Sequence, residues 1–267
     1  MSSSPWVARS QRGADIVPPD VHAREIVEAL GITQLPVNPV EVLARLKIGY
    51  EERALDGCLG LTVVAPAGMT VVVSTTIQNQ GRKRFTAAHE LGHATMHLNR
   101  GFRCTPTDGS DGRSAPAEQD ANSFASHLLM PESLVAPRFD QIEPRLDLIG
   151  QVATLCGTSL TATALRYVKR TDRRCAIVMS REGTIQWSFP SSAFGFRLSN
   201  GPLPKGTRAR ALSKNGSQQD DWEVSRPDDW IDEYSGQAEE IQEHSVAQSR
   251  HKQVLTMLLL DEDQDDE

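Results

Sequence analysis

Two histidines four residues apart, with a glutamate between them, stand in His89-Glu90-Leu91-Gly92-His93, inside the run Arg84-Phe85-Thr86-Ala87-Ala88-His89-Glu90-Leu91-Gly92-His93-Ala94-Thr95-Met96-His97. On a helix, residues four apart lie about 40° apart around the axis, so His89 and His93 point the same way and can share one metal ion. Glu90 is turned about 100° from His89, beside such an ion, where its carboxylate takes a proton from water without being a ligand. The run from Arg82 to Leu98 has no proline; Asn79 and Gly81 break the chain before it, and Asn99 and Gly101 after it. These are helix boundaries, and they put the motif on a helix.

Two histidines hold zinc poorly, and a catalytic site asks for a third protein ligand with one position left open for water. The next segment that offers one is Glu118-Gln119-Asp120-Ala121-Asn122-Ser123-Phe124-Ala125-Ser126-His127-Leu128-Leu129-Met130-Pro131. Read as a helix, Glu118, Asn122, Ala125 and Leu129 share one face. Asp120 lies about 200° from Glu118, on a face with His127. Only one of these faces can meet the metal, and spacing leaves Glu118 and Asp120 both open. His97 follows His93 by one turn and is expected around the ligands or at the surface. His127 is expected to pack or to face solvent, with a transition-state donor as the other reading. A metzincin would need a histidine ten residues after His89, but that position is Asn99, with Met96 where glycine is required, so that class is excluded.

Together, the two segments resemble the ImmA/IrrE family of metallopeptidases. In that family the first glutamate of E-x-x-A-x-x-F-A-x-x-L-L-x-P is the third zinc ligand. The resemblance therefore implies His89, His93 and Glu118 around one zinc ion per chain, with Glu90 as general base. The chain departs mildly, with Gln119-Asp120 where the family often has a basic and an acidic residue. Beyond the two blocks the likeness runs loosely from Pro36 to Phe189. It implies a zincin-like α+β fold, with a small sheet, the H-E-x-x-H helix and a following ligand helix. It also implies an endopeptidase that cleaves a specific protein by attack of a Glu90-activated, zinc-bound water. Such partners are DNA-binding repressors of the helix-turn-helix kind, or antitoxin-like regulators, cut under stress or induction. The alternative is a non-cleaving regulator that keeps zinc for structure and binds a protein or DNA stoichiometrically. Glu90 separates the two, because a structural site needs no base. A broad housekeeping peptidase would instead digest arbitrary unfolded protein.

The elements around the motif set the domains. Residues 1–20 read as a flexible N-terminus and 21–140 as the metallopeptidase domain. Helices are expected over His22–Leu30, Pro39–Lys47 and Ala117–Met130, and strands over Leu59–Val64 and Met69–Thr75. The second of these strands reads either as an edge that accepts an extended substrate or as an internal core strand. The Gly/Ser/Pro/Asp-rich stretch 99–117 reads as a long loop, either a lid or disorder. Residues 141–174 form a helical subdomain: Ala153 stands four before Gly157, as in a helix-turn-helix, and Arg166, Lys169, Arg170, Arg173 and Arg174 follow. Residues 175–260 carry a β-hairpin (Cys175–Ser180 and Thr184–Phe189), a linker at about 201–226 and a final strand over Gln253–Leu260.

The bulk properties close off several classes. Hydrophobic residues make up 39% and charged residues 24% of 267, which suits a globular protein with ample core. The net charge is −7, but residues 261–267 hold six acids and no base, so the other 260 carry −1. That acidic end reads as a disordered tail, and direct nucleic-acid binding is not expected of a near-neutral body. No apolar run is long enough for a signal peptide or a bilayer span. The four cysteines, Cys58, Cys104, Cys156 and Cys175, are scattered and read as reduced thiols in a cytoplasmic protein.

Overall fold

A computed structural model describes residues 17–66, 68–97, 116–215, 222–236, 238, 240–248 and 252–260. The fold is mixed α+β and divides into two compact units, one of residues up to 138 with 154–159, the other of 139–153 and 160 onward. The expected loop at 99–117 lies almost wholly outside the described residues, as do the acidic tail and Cys104.

In the first unit, α1 (Pro19–Ala29) and α2 (Pro39–Arg45) each begin on proline, whose fixed φ and missing N–H suit a first turn. The Asn38 side chain caps α2 by accepting from Val40 N. A three-stranded sheet follows, formed by β1 (Gly49–Arg53), β2 (Gly60–Ala65) and β3 (Gly68–Ser74) in the order β1-β3-β2. β1 runs parallel to β3 and β2 antiparallel to it. So Met69–Thr75 is not an edge. The unbroken β-branched run Thr70–Val73 is what buries that strand in the centre, and Val71, Val72 and Val73 are at most 1% exposed. The edge beside the motif is β2.

Helix α3 (Gln80–Met96) carries H-E-x-x-H, capped by Asn79, whose side chain accepts from Arg82 N. Every residue from Thr86 to Thr95 is buried. Helix α4 (Pro116–Leu129) packs on it, and Gly92 makes the approach possible: a Cβ there would lie 3.0 Å from Phe124 Cδ1 and 3.3 Å from Ala121 Cα. Ala23, Ile26, Leu43, Val71, Ala88, Leu91, Phe124 and Leu128 form the core around this pair. Helix α5 (Glu132–Phe139) begins after Pro131 and was not expected from the sequence.

Helix α6 (Leu146–Cys156), which begins in the second unit and ends in residues 154–156 of the first, and α7 (Leu160–Arg170) are bent by 109° about Gly157–Ser159, within the range of a helix-turn-helix crossing. Two of the basic residues read there have other occupations. Arg166 is buried, and Arg170 holds Asp140 through both terminal nitrogens at 2.6 and 3.2 Å.

A six-stranded antiparallel sheet has the order β6-β5-β4-β9-β8-β7. Its strands are β4 (Cys175–Arg181), β5 (Thr184–Pro190), β6 (Gly201–Pro202), β7 (Glu223–Ser225), β8 (Ile241–Gln248) and β9 (Gln253–Leu260). The stretch 201–226, taken from composition as a linker, instead supplies β6, α8 (Arg208–Asn215) and β7 among its described residues. Ala209 and Leu212, three apart on α8, enter the core beside Phe194, Trp230 (on the short α9, Pro227–Trp230) and Leu258. Among the described residues no single helix is long and apolar enough to cross a membrane.

Candidate metal centre

The buried ten-residue stretch of α3 holds three ionisable side chains in an otherwise apolar setting. His89 is 8%, Glu90 1% and His93 3% exposed. Burying such groups is costly unless a partner or a metal compensates. The helical spacing turns both imidazoles to one side, with His89 Nε2 and His93 Nε2 only 3.1 Å apart.

Helix α4 brings Glu118 onto the same point. Its Oε2 lies 3.3 Å from His89 Nε2 and its Oε1 3.4 Å from His93 Nε2. Zinc with nitrogen and oxygen ligands at about 2.0–2.2 Å spaces them about 3.3–3.6 Å apart along tetrahedral edges. The two separations to Glu118 fall in that range, and the 3.1 Å between the imidazole nitrogens lies about 0.2 Å below it. The donor set fits as well: two imidazole nitrogens and a carboxylate, with the nitrogen lone pairs converging where a cation would relieve their repulsion. Among the described residues, His89, His93 and Glu118 form the one group that meets a three-ligand criterion.

Both histidines are oriented from behind. Asn122, one turn after Glu118, presents Oδ1 to His89 Nδ1 at 2.9 Å. An amide oxygen only accepts, so Nδ1 carries the proton and Nε2 keeps the lone pair that a metal could take. His93 Nδ1 meets His97 Nδ1 at 3.1 Å, and His97 Nε2 faces Asp120 Oδ2 at 3.6 Å. With His93 donating, His97 turns its own Nε2–H toward the carboxylate. Burial, with the His89 ring close by, pulls the His93 imidazole down to about 4, so it is neutral and free of a competing proton at pH 7.

Asp120, the other ligand reading, is therefore drawn off to His97, about 200° around α4 from Glu118. His127 donates from Nδ1 to the Ser123 carbonyl at 2.8 Å, an ordinary contact one turn back along its helix. Two features escaped the sequence. Asn122 was placed on the Glu118 face and not given a role. Thr62 was not singled out, yet its Oγ1 lies 3.2 Å from Glu90 Oε2 and 3.1 Å from Glu90 O.

Residues 54–167 match the peptidase M78 family, described as the IrrE N-terminal-like domain. This stretch is similar to the IrrE N-terminal-like domain. The likeness to ImmA/IrrE peptidases carried by the two motif blocks is thereby borne out, and both α3 and α4 fall inside the matched stretch. No curated protein matches the chain. Among solved structures, a Mycobacterium tuberculosis transcriptional regulator is similar in fold, with a TM-score of 0.57 at 14% identity over 98% of this chain and 82% of that one.

Proposed function

We propose that the protein is a zinc-dependent endopeptidase that cleaves one protein partner, a DNA-binding repressor or an antitoxin-like regulator. The observation that carries this reading is the buried Glu90 carboxylate on the helix of His89 and His93, two residues that form a metal-competent group with Glu118 of α4. A purely structural site would not need an acid there, 1% exposed and at the cost of its desolvation.

His89, His93 and Glu118 would hold the ion, leaving a fourth position free. Bound zinc acts as a Lewis acid that makes water a nucleophile near neutral pH and polarises the scissile carbonyl. Glu90 accepts the proton released as water attacks and returns it to the leaving amine. Asn122 and His97 keep the two imidazoles in the tautomer that presents Nε2. The arrangement is zincin-like, and the strand that a substrate would meet is β2, the outer strand on this side of the sheet. Val63 and Val64 on it are 38% and 63% exposed, which suits an extended apolar segment adding to the edge.

The class of partner rests on the ImmA/IrrE likeness, with the regulator fold as a compatible setting. The test is co-expression with a candidate repressor, such as a genomic neighbour, followed by intact-mass measurement for wild type and Glu90→Gln. One discrete cut that disappears in Glu90→Gln supports a site-specific peptidase. A stable complex with zinc bound and no cut in either form would instead favour a regulator that binds its partner stoichiometrically.

A further inference from the structure

A general base is effective only when its oxygen is held within hydrogen-bond reach of the proton it takes. Glutamate reaches its carboxylate through three torsions, the last of them broad, so burial alone does not fix where the oxygens sit. In this protein strand β2 supplies what burial leaves out. Thr62, half-buried in the middle of β2, lies with Oγ1 3.2 Å from Glu90 Oε2 and 3.1 Å from the Glu90 carbonyl. Both are acceptors, so the hydroxyl donates, its single proton shared between side chain and backbone of the same residue. That grip sets the carboxylate relative to its own helix.

Gly60 acts on the other oxygen. It stands two residues before Thr62, hence on the same face of the strand. A Cβ at position 60 would lie 2.7 Å from Glu90 Oε1 and 2.7 Å from Thr86 Cγ2, closer than real contacts allow. The missing side chain is therefore the room in which Oε1 rests. Strand pairing asks for neither feature, although the close approach of Thr86 also favours glycine at position 60. Gly60 pairs with Val73 and Thr62 with Val71 through backbone alone, and Leu61, Val63 and Val64 show what this strand otherwise uses. A valine would serve the sheet at position 62 as well as threonine does.

We propose that Thr62 is a positioning residue for the general base: its hydroxyl fixes the Glu90 carboxylate, and Gly60 gives that carboxylate its space. The proposal rests on the peptidase reading above, and it goes further by tying the base to the outer strand along which a substrate would lie.

Thr62→Val keeps shape and branching and removes only the donor; Thr62→Ser keeps the donor. The first measurement compares crystal structures of the zinc-loaded full chain, wild type and both variants. Glu90 is expected in one conformer in wild type and Thr62→Ser, and displaced or multiple in Thr62→Val, with His89, His93 and Glu118 unmoved. The second measures turnover of the partner found by the mass experiment. In Thr62→Val, kcat falls about ten- to hundredfold, the range of outer-shell changes, while KM and zinc affinity stay put, and Thr62→Ser restores most of the rate. Gly60→Ala displaces Glu90 from the opposite side and lowers kcat with it.

An unchanged Glu90 conformer in Thr62→Val overturns the proposal. So does a rise in KM at intact kcat, which would make Thr62 a substrate contact. If wild type cuts nothing, the peptidase reading fails by itself, and the Glu90 conformers still decide the positioning role.

Discussion

Glu243, on β8, is the group whose titration should govern the stability of the second unit. Its side chain is wholly buried. Oε2 accepts from Trp230 Nε1 at 2.9 Å and Ser225 Oγ at 3.1 Å, and Oε1 from Ala209 N at 3.1 Å. These donors ease the charge, but burial dominates and pushes the carboxyl from 4.5 up to about 7. Between those values the folded chain holds a proton that the unfolded chain has released. The stabilisation is thus fully present below pH 4.5 and is lost as pH rises through 7. At about 1.4 kcal/mol per pH unit, the separation is worth about 3 kcal/mol. Glu243→Gln removes the titration. It also sets an amide N–H against either Trp230 or the Ala209 N–H, at a cost of about 1–3 kcal/mol. Urea unfolding followed by tryptophan fluorescence between pH 5 and 8 reads this unit, since Trp187, Trp222 and Trp230 all lie in it. Wild type should weaken by about 3 kcal/mol over that range, and the variant, less stable at pH 5, should draw level toward pH 8. Parallel pH profiles for the two proteins would refute the assignment of the slope to Glu243.

Three further outcomes test the metal centre. Glu118→Ala should bind zinc more than about a hundredfold more weakly, whereas Asn122→Ala, acting from behind His89, should lose about ten- to hundredfold, both read by chelator competition. Gly92→Ala gains about 1 kcal/mol of helix propensity but drives a methyl into Phe124 and the Ala121 backbone, where overpacking costs about 1–3 kcal/mol. A lower melting temperature with weakened zinc binding is expected, and a raised one would show that α4 yields freely. Because His93 is pulled down to about 4, the unfolded chain takes up its proton first as pH drops below 6.5. In a Glu243→Gln background, which removes the opposing titration, the metal-free protein should therefore melt lower at pH 5 than at pH 7 when followed by far-ultraviolet circular dichroism. Equal values would place the His93 ring in a wetter setting than its burial indicates.

The motif helix was legible because its signals are local: a cap at Asn79, an unbroken run, and histidines at helical spacing. Which face of α4 meets it was not, since Glu118 and Asp120 differ by two residues and only the packing of Phe124 and Ala121 against Gly92 sets the rotation. Which strand forms the edge stayed open because β2 and β3 are both β-branched. What separates them is the parallel partner β1, whose Tyr50-Glu51-Glu52-Arg53 looks too polar for a strand. Strand β8 was invisible for a related reason. Ile241–Gln248 reads as polar, yet Glu243, His244 and Ser245 are buried and each hydrogen-bonds a residue at least eleven positions away. Helix α8 was masked by its charges, with only Ala209 and Leu212 to mark an inner face.

The return of residues 154–159 to the first unit bears on where the chain can be cut. Arg84, on α3 five residues before His89, donates to the carbonyls of Val37 at 2.6 Å and Cys156 at 3.3 Å, and its guanidinium lies against Gly157. A fragment ending at Arg138 would keep His89, His93 and Glu118 and still strip one of those carbonyls from a half-buried cation. Limited proteolysis or expression of a shortened chain should therefore yield a stable product only when the polypeptide reaches beyond residue 159, so the shortest autonomous piece is set by an arginine's anchorage rather than by Glu118.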